Sequence, residues 1–144
     1  MLERSTTASA WTINRLVALI IGVVFLVIGI VGLIFDTTAG SLLAFQVDLI
    51  HNLVHLVTGI VALAAVFGGW SRRFNQVFGI IYLLVGIAGL IPSLYFGGNL
   101  LGIMAVNGAD NVLHLVVGAI AAAVGFFVNE STSVTGRGDP MVRP

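Results

Sequence analysis

No cysteine occurs in the 144 residues, and only 8% of them are charged. The first absence excludes disulfides, thiolate metal sites and a cysteine nucleophile. The second excludes an ordinary soluble domain, which spends about a quarter of its residues on charge to cover its surface. Proline is scarce as well, with three copies, and the only one near an apolar run, Pro92, stands at its end. Six Arg balance six acids, so no overall basic field exists for nucleic acid. There is also no phosphate-cradling glycine loop, no serine beside a usable base within an apolar run and no pair of carboxylates on one helix face. No enzymatic activity is expected.

What the chain has is apolar surface: 58% of residues are hydrophobic and the mean hydropathy is +1.11. Uninterrupted runs cover Leu16 to Phe35, Leu49 to Phe67, Phe74 to Ile91 and Val112 to Phe127. Each matches or approaches the roughly 20 residues that one helical crossing of hydrocarbon requires. They predict an all-α integral membrane protein, a bundle of four transmembrane helices over residues 12–128. The alternation of apolar and polar residues that a β-barrel needs is absent. The first run exceeds the apolar stretch of a signal peptide, roughly 7–15 residues, and lacks a small-residue cleavage site, so it is expected to stay in the protein. Segments 1–11 and 129–144 read as flexible tails, the second because Ser, Thr, Gly, Arg and Pro bury little apolar area.

Arginines near span ends are retained on the cytoplasmic side. Arg4 and Arg15 precede the first run, Arg72 and Arg73 separate the second from the third, and Arg137 and Arg143 follow the fourth. The other two connections carry Asp36, Asp48 and Asp110 and no Arg. A multi-pass protein of the plasma (inner) membrane with both termini in the cytoplasm follows. Trp11 and Trp70 fall beside the cytoplasmic ends and Tyr95 near the outer end of the third run, at headgroup level.

The chain also repeats itself. Gly22, Phe25, Leu26, Gly29, Gly32, Leu33 and Ile34 match Gly79, Tyr82, Leu83, Gly86, Gly89, Leu90 and Ile91. Gly40, Leu42 and Leu43 match Gly98, Leu100 and Leu101, and then Asn52, His55, Leu56 and Gly59 match Asn111, His114, Leu115 and Gly118. Two tandem two-helix repeats, 14–67 and 74–127, are predicted in parallel orientation, related by an axis along the membrane normal. Gly22, Gly29 and Gly32, with Gly79, Gly86 and Gly89, form small-residue faces that let helix backbones approach where no hydrophobic effect drives association. The apolar character of the outer connections suggests segments that lie in the interface or dip across the mouth of the bundle.

Polar residues within the spans concentrate where the second and fourth begin. His51 corresponds to Asp110, Asn52 to Asn111 and His55 to His114. A spacing of four puts His51 and His55 on one helix face, and Asp110 and His114 on another. Intramembrane ionisable groups face a bundle interior or a wet cavity, so the two sets are expected to converge. Asp48 and Asn107 read as N-caps, and Thr58 as bonded to its own helix backbone. The leading reading is a structural or accessory protein in which Asn52 and Asn111 bond the opposite histidine, clasping the second and fourth helices near the outer face. On that reading no cofactor is needed. The alternatives are a metal held by His51, His55, His114 and Asp110, a haem between His55 and His114, and a proton or small-ligand site open to the outside. The partners suggested are the bilayer and a second copy or another membrane protein.

The segment Leu42-Leu43-Ala44-Phe45-Gln46-Val47-Asp48-Leu49-Ile50-His51-Asn52-Leu53-Val54-His55-Leu56, followed by Gly59, resembles the signature of an actinobacterial membrane family, domain of unknown function 4383. Leu100-Leu101-Gly102-Ile103-Met104-Ala105-Val106-Asn107, then Ala109-Asp110-Asn111-Val112-Leu113-His114-Leu115, looks like its other half. The likeness covers roughly residues 12–128 and departs at Asp48, where the family more often carries Asn; either caps a helix. It implies a small four-helix integral membrane protein and supplies no activity.

Overall fold

The computed structural model describes residues 11–35, 40–42 and 44–130. Residues 1–10 and 131–144 of the flexible tails expected on either side, most of the loop holding Asp36, and Leu43 lie outside the described residues. Four helices dominate: α1 (Ile13–Phe35), α2 (Leu49–Gly68), α3 (Ser71–Ala88) and α4 (Gly108–Phe127). Local chemistry sets their ends. Thr12 Oγ1 accepts from Arg15 N at 3.1 Å and opens α1. Gly69, at φ 76°, closes α2 in the left-handed conformation while its N–H donates to Ala65 O, the usual role of glycine after a helix. Pro92 opens a single 3-10 turn, Pro92–Leu94, because its ring lacks the N–H that a continuing helix needs. The third helix therefore stops at Ala88, three residues short of the predicted Ile91.

Three of the four helices, α1, α2 and α4, are long and apolar enough to cross a membrane by length and composition. The fourth, α3, falls short of that measure, since its 18 residues include Arg72, Arg73, Asn75 and Gln76 in the opening turns. Its apolar part is thereby shortened.

The connections from α1 to α2 and from α3 to α4 each carry a short β-hairpin. Strands β1 (Gly40–Leu42) and β2 (Phe45–Val47) pair antiparallel, with Leu42 opposite Phe45. Strands β3 (Tyr95–Phe96) and β4 (Asn99–Leu100) pair around Gly97 and Gly98, which adopt φ of 61° and 86°. A two-residue turn with both central φ values positive matches the right-handed twist of the strands, and glycine takes it without strain.

Helix α1 packs along α2, and α3 along α4. Close approach depends on glycine. A Cβ on Gly29 would lie 2.8 Å from the Leu56 backbone N, and one on Gly86 would lie 3.0 Å from the Leu115 backbone N. From the other side, Gly59 abuts the Leu26 backbone and Gly118 the Leu83 backbone. Between the pairs lies a core of Ala18, Ile21, Phe25, Phe74, Phe78 and Tyr82, with small residues of α2 and α4. Phe74, Phe78 and Tyr82 stack at four-residue intervals along α3, with centroids 5.3 and 4.0 Å apart. Phe25 meets Phe78 and Tyr82 edge-on, as ring quadrupoles favour. The outward faces are apolar: Val57 is 58% and Leu84 61% exposed, the pattern of a surface solvated by lipid.

At the end opposite the hairpins, carbonyls left over where α4 stops are taken up by other helices. Gln76 Nε2 and Arg72 Nε both donate to Gly125 O at 3.0 Å, and Asn14 Nδ2 donates to Val128 O at 3.1 Å. Asn75 Nδ2 donates to Asn14 O and Oδ1. The donors to Gly125 O and Val128 O satisfy orphan acceptors at the end of α4. Arg15 lies 4.5 Å above the Trp11 ring.

Candidate functional site

Helices α2 and α4 both begin with a carboxylate doing two jobs. Asp48 Oδ1 accepts from His51 N at 2.8 Å and caps α2, while its Oδ2 accepts from Ala105 N at 2.8 Å. Asn107 Oδ1 caps α4 through Ala109 N and Asp110 N, and Asp110 Oδ2 accepts from Asn107 N at 2.8 Å, completing a capping box. That same Oδ2 accepts from Gln46 N at 3.0 Å. Gln46 and Ala105 each stand two residues before a cap. The loop ahead of each helix is thus bonded to the carboxylate of the other helix. Asn107 Nδ2 adds a bond to Ala44 O at 3.0 Å.

His51 joins this exchange. Its Nδ1 donates to Ala105 O at 2.9 Å and to Gln46 O at 3.1 Å. Both partners are carbonyls, which only accept, so Nδ1 carries the proton and Nε2 keeps a free lone pair in the neutral ring. The ring is 2% exposed.

His55 and His114 sit one turn deeper and have no such partners. The Nδ1 atoms of both are buried with no hydrogen-bond partner among the described residues. Their surroundings are aromatic: Phe25 lies edge-on to His55 at 5.1 Å and Tyr82 edge-on to His114 at 5.0 Å. The His51 ring centroid is 4.5 Å from that of His55 and 5.9 Å from that of His114. One ligand-capable nitrogen from each of the three lies within 4.8 Å of the others.

Asp110, expected as a further ligand, is instead engaged with Asn107 N and Gln46 N. The asparagines also differ from expectation. Asn111 Nδ2 donates to Gly89 O at 2.7 Å within its own helix pair, and its Oδ1 occupies the space that a Cβ on Gly89 would fill. Asn52 occupies the same space beside Gly32. Both amides therefore press against the partner helix of their own pair, where the missing glycine side chain leaves room, and Asn111 bonds within that pair rather than to a histidine across the bundle. The Thr58 hydroxyl bonds Tyr82 of α3, in addition to any backbone contact within α2.

His51 and His114 lie at one end of a half-open cavity of about 350 Å³ between α2 and α3. Apolar side chains such as Val57 and Val77 form its walls, Met104 stands beside the histidines, and Trp70 and Arg73 close the far end.

Over residues 15–127 the sequence matches the family described as a domain of unknown function, DUF4383. The chain belongs to this family. No curated protein and no solved structure matches it. Membership of DUF4383 carries no activity, so the chemistry rests on the residues above.

Sequence reading missed Gln46 and Ala105, whose contribution is backbone only and leaves no residue-type signal. It also missed Asn14, a single polar residue at the edge of an apolar run. In this DUF4383 protein the exchange has a measurable energetic consequence. Asp48→Ala removes a cap and a charge-assisted bond to Ala105 N, at a combined cost of about 3 kcal/mol. Asp110→Ala is expected to cost a similar amount, read as a fall in the thermal midpoint of the detergent-solubilised protein. Midpoints equal to wild type in both variants would show the exchanged bonds to be energetically idle.

Proposed function

We propose that this DUF4383 protein binds one first-row transition-metal ion within the membrane through His51, His55 and His114. The observation that carries this reading is the convergence of three ligand-capable nitrogens within 4.8 Å, two of the rings holding a buried Nδ1 without a partner. A buried polar atom left unpaired costs on the order of 1–3 kcal/mol, and ligation removes that cost. Imidazole suits zinc, copper, iron and nickel. Nitrogens around a tetrahedral zinc stand roughly 3.3 Å apart given bonds of about 2.0–2.1 Å, so the histidines need close by no more than about 1.5 Å. His51 supports the reading further: a metal-binding histidine fixes its tautomer by donating its other N–H to a carbonyl, as His51 Nδ1 does. The carboxylates of Asp48 and Asp110 place two negative charges at the same end of the helices, matching a divalent ion.

A bare ion is favoured over haem because Phe25 and Tyr82 crowd His55 and His114 from the sides, where a porphyrin would need open flat space. The frame for the ion is a four-span bundle of two like-oriented hairpins, 14–67 and 74–127, within a membrane domain of 12–128. Its support is the recurrence of the same glycine contacts in both pairs and the reciprocal Asp48 and Asp110 bonds. With both termini in the cytoplasm of an inner-membrane protein, the histidines lie in the outer leaflet. The exchanged loops clasp the two pairs whether or not the ion is bound.

The test is metal analysis of protein carrying no polyhistidine tag, supplied in turn with zinc, copper and ferrous iron and then dialysed. About one equivalent of one of these ions per chain is expected, falling to background in His55→Ala and in His114→Ala. Background metal in the wild-type protein under all three supplies would overturn the proposal.

A further inference from the structure

We propose that the groove between α2 and α3 holds one acyl chain of an anionic phospholipid, with the lipid phosphate seated on Arg73 and Trp70. This inference does not depend on the metal.

The first observation is where the groove opens. Val57, Val77 and Ile81 line it and are 58%, 58% and 50% exposed, on helices whose other outward residues are also apolar. In a bilayer such an opening faces acyl chains, so its natural occupant is lipid-soluble. The volume, about 350 Å³, lies within the range that binds a small molecule. That volume is well below what two or three turns of a helix from a second copy, about 10–12 Å across with side chains, would occupy.

The second observation is the inequality of two neighbouring arginines. Arg72 is engaged, donating to Gly125 O and Phe126 O. Arg73 lines the groove end and is exposed, and no hydrogen bond or ion pair to it occurs among the described residues. A guanidinium presents a fork that matches phosphate, and Trp70 beside it is a residue type suited to the headgroup layer. Charge complementarity selects an anionic headgroup over a neutral one.

The third observation is length. From Arg73 to Val85 α3 rises about 18 Å, slightly more than one leaflet of a hydrocarbon core about 30 Å thick. A chain entering at Arg73 therefore runs along the edge of the Phe74, Phe78 and Tyr82 stack and ends near His114 and Met104. There it covers the open side of the histidine cluster against water.

The full chain, reconstituted in vesicles of equal phosphatidylglycerol and phosphatidylcholine with identical acyl chains, is extracted in mild detergent and its retained lipid measured by native mass spectrometry. One retained phosphatidylglycerol is expected, favoured about five- to tenfold over phosphatidylcholine. Arg73→Gln, at an exposed position, is expected to retain both lipids equally. Val77→Trp, which fills the groove from an exposed position, is expected to retain neither while its helical circular dichroism matches wild type. Equal retention of the two lipids by wild type, an undiminished preference in Arg73→Gln, or full retention by folded Val77→Trp would each overturn the proposal.

Discussion

Gly79→Ala is expected to destabilise the protein by about 3 kcal/mol, whereas Gly22→Ala, at the matching position of the repeat, costs less than about 1 kcal/mol. The difference comes from what each new methyl meets. At Gly79 it would press on the backbone of Ala122, 2.8 Å from its Cα, and a helix backbone cannot yield without moving the whole of α4. At Gly22 it would meet the end of the Leu63 side chain, 2.7 Å from a terminal methyl, which can turn to another rotamer. Without a hydrophobic effect between helices in lipid, such contact is the main source of association, so separating α3 from α4 is felt directly. Detergent melting of the two variants decides the matter. Equal losses at both positions would mean that α3 and α4 are not held by this backbone contact.

His114→Leu and His55→Leu are expected to remove metal-dependent stabilisation while leaving the metal-free protein at least as stable as wild type. A ligand present at a hundred times its dissociation constant stabilises by about 2.7 kcal/mol, and each variant is expected to lose that increment. The metal-free comparison has the opposite sense to ordinary core damage. Each imidazole has a buried Nδ1 with no partner, and leucine of similar size removes that unpaired atom and packs against Phe25 or Tyr82. Replacing a buried, unsatisfied polar group by a well-fitting apolar one is neutral or stabilising. Thermal midpoints with and without ion separate the cases. A metal-free midpoint that falls as far as in Asp110→Ala would assign the histidines to the clasp instead.

The helices were legible because lipid imposes a long, simple requirement: α1, α2 and α4 are readable as apolar length alone. The start of α4 was legible from its cap: Asn107 reads as an N-cap, and the capping box it forms with Asp110 begins the helix at Gly108, four residues before the apolar run at Val112. The hairpin at Gly97–Gly98 left a readable signal in its glycine pair, but apolar strands two residues long resemble an interfacial segment. The three histidines were legible as a group from their spacing of four and the matched Asn-x-x-His in both halves. Their partners were not. A side chain can be ranked by type, but the acceptors of His51 and the donors to Asp48 and Asp110 are main-chain groups, which every residue carries alike. The asparagines were misdirected for a related reason: the space that receives Asn52 and Asn111 is made by Gly32 and Gly89 on the neighbouring helix, a vacancy visible only in three dimensions.

The reciprocal bonds also impose an order on biosynthesis. Gln46 N waits for a carboxylate 64 residues downstream, and Asp48 for an amide 57 residues downstream. At about 5–20 residues per second, the first hairpin exists for roughly 3–13 seconds with a charged cap and a bare loop amide before their partners are made. Only a chain finished through His114 can both close this end of the bundle and bring the third histidine to His51 and His55. Truncated products carry two histidines without the third, and the complete histidine cluster is in this sense a marker that translation has reached the second hairpin.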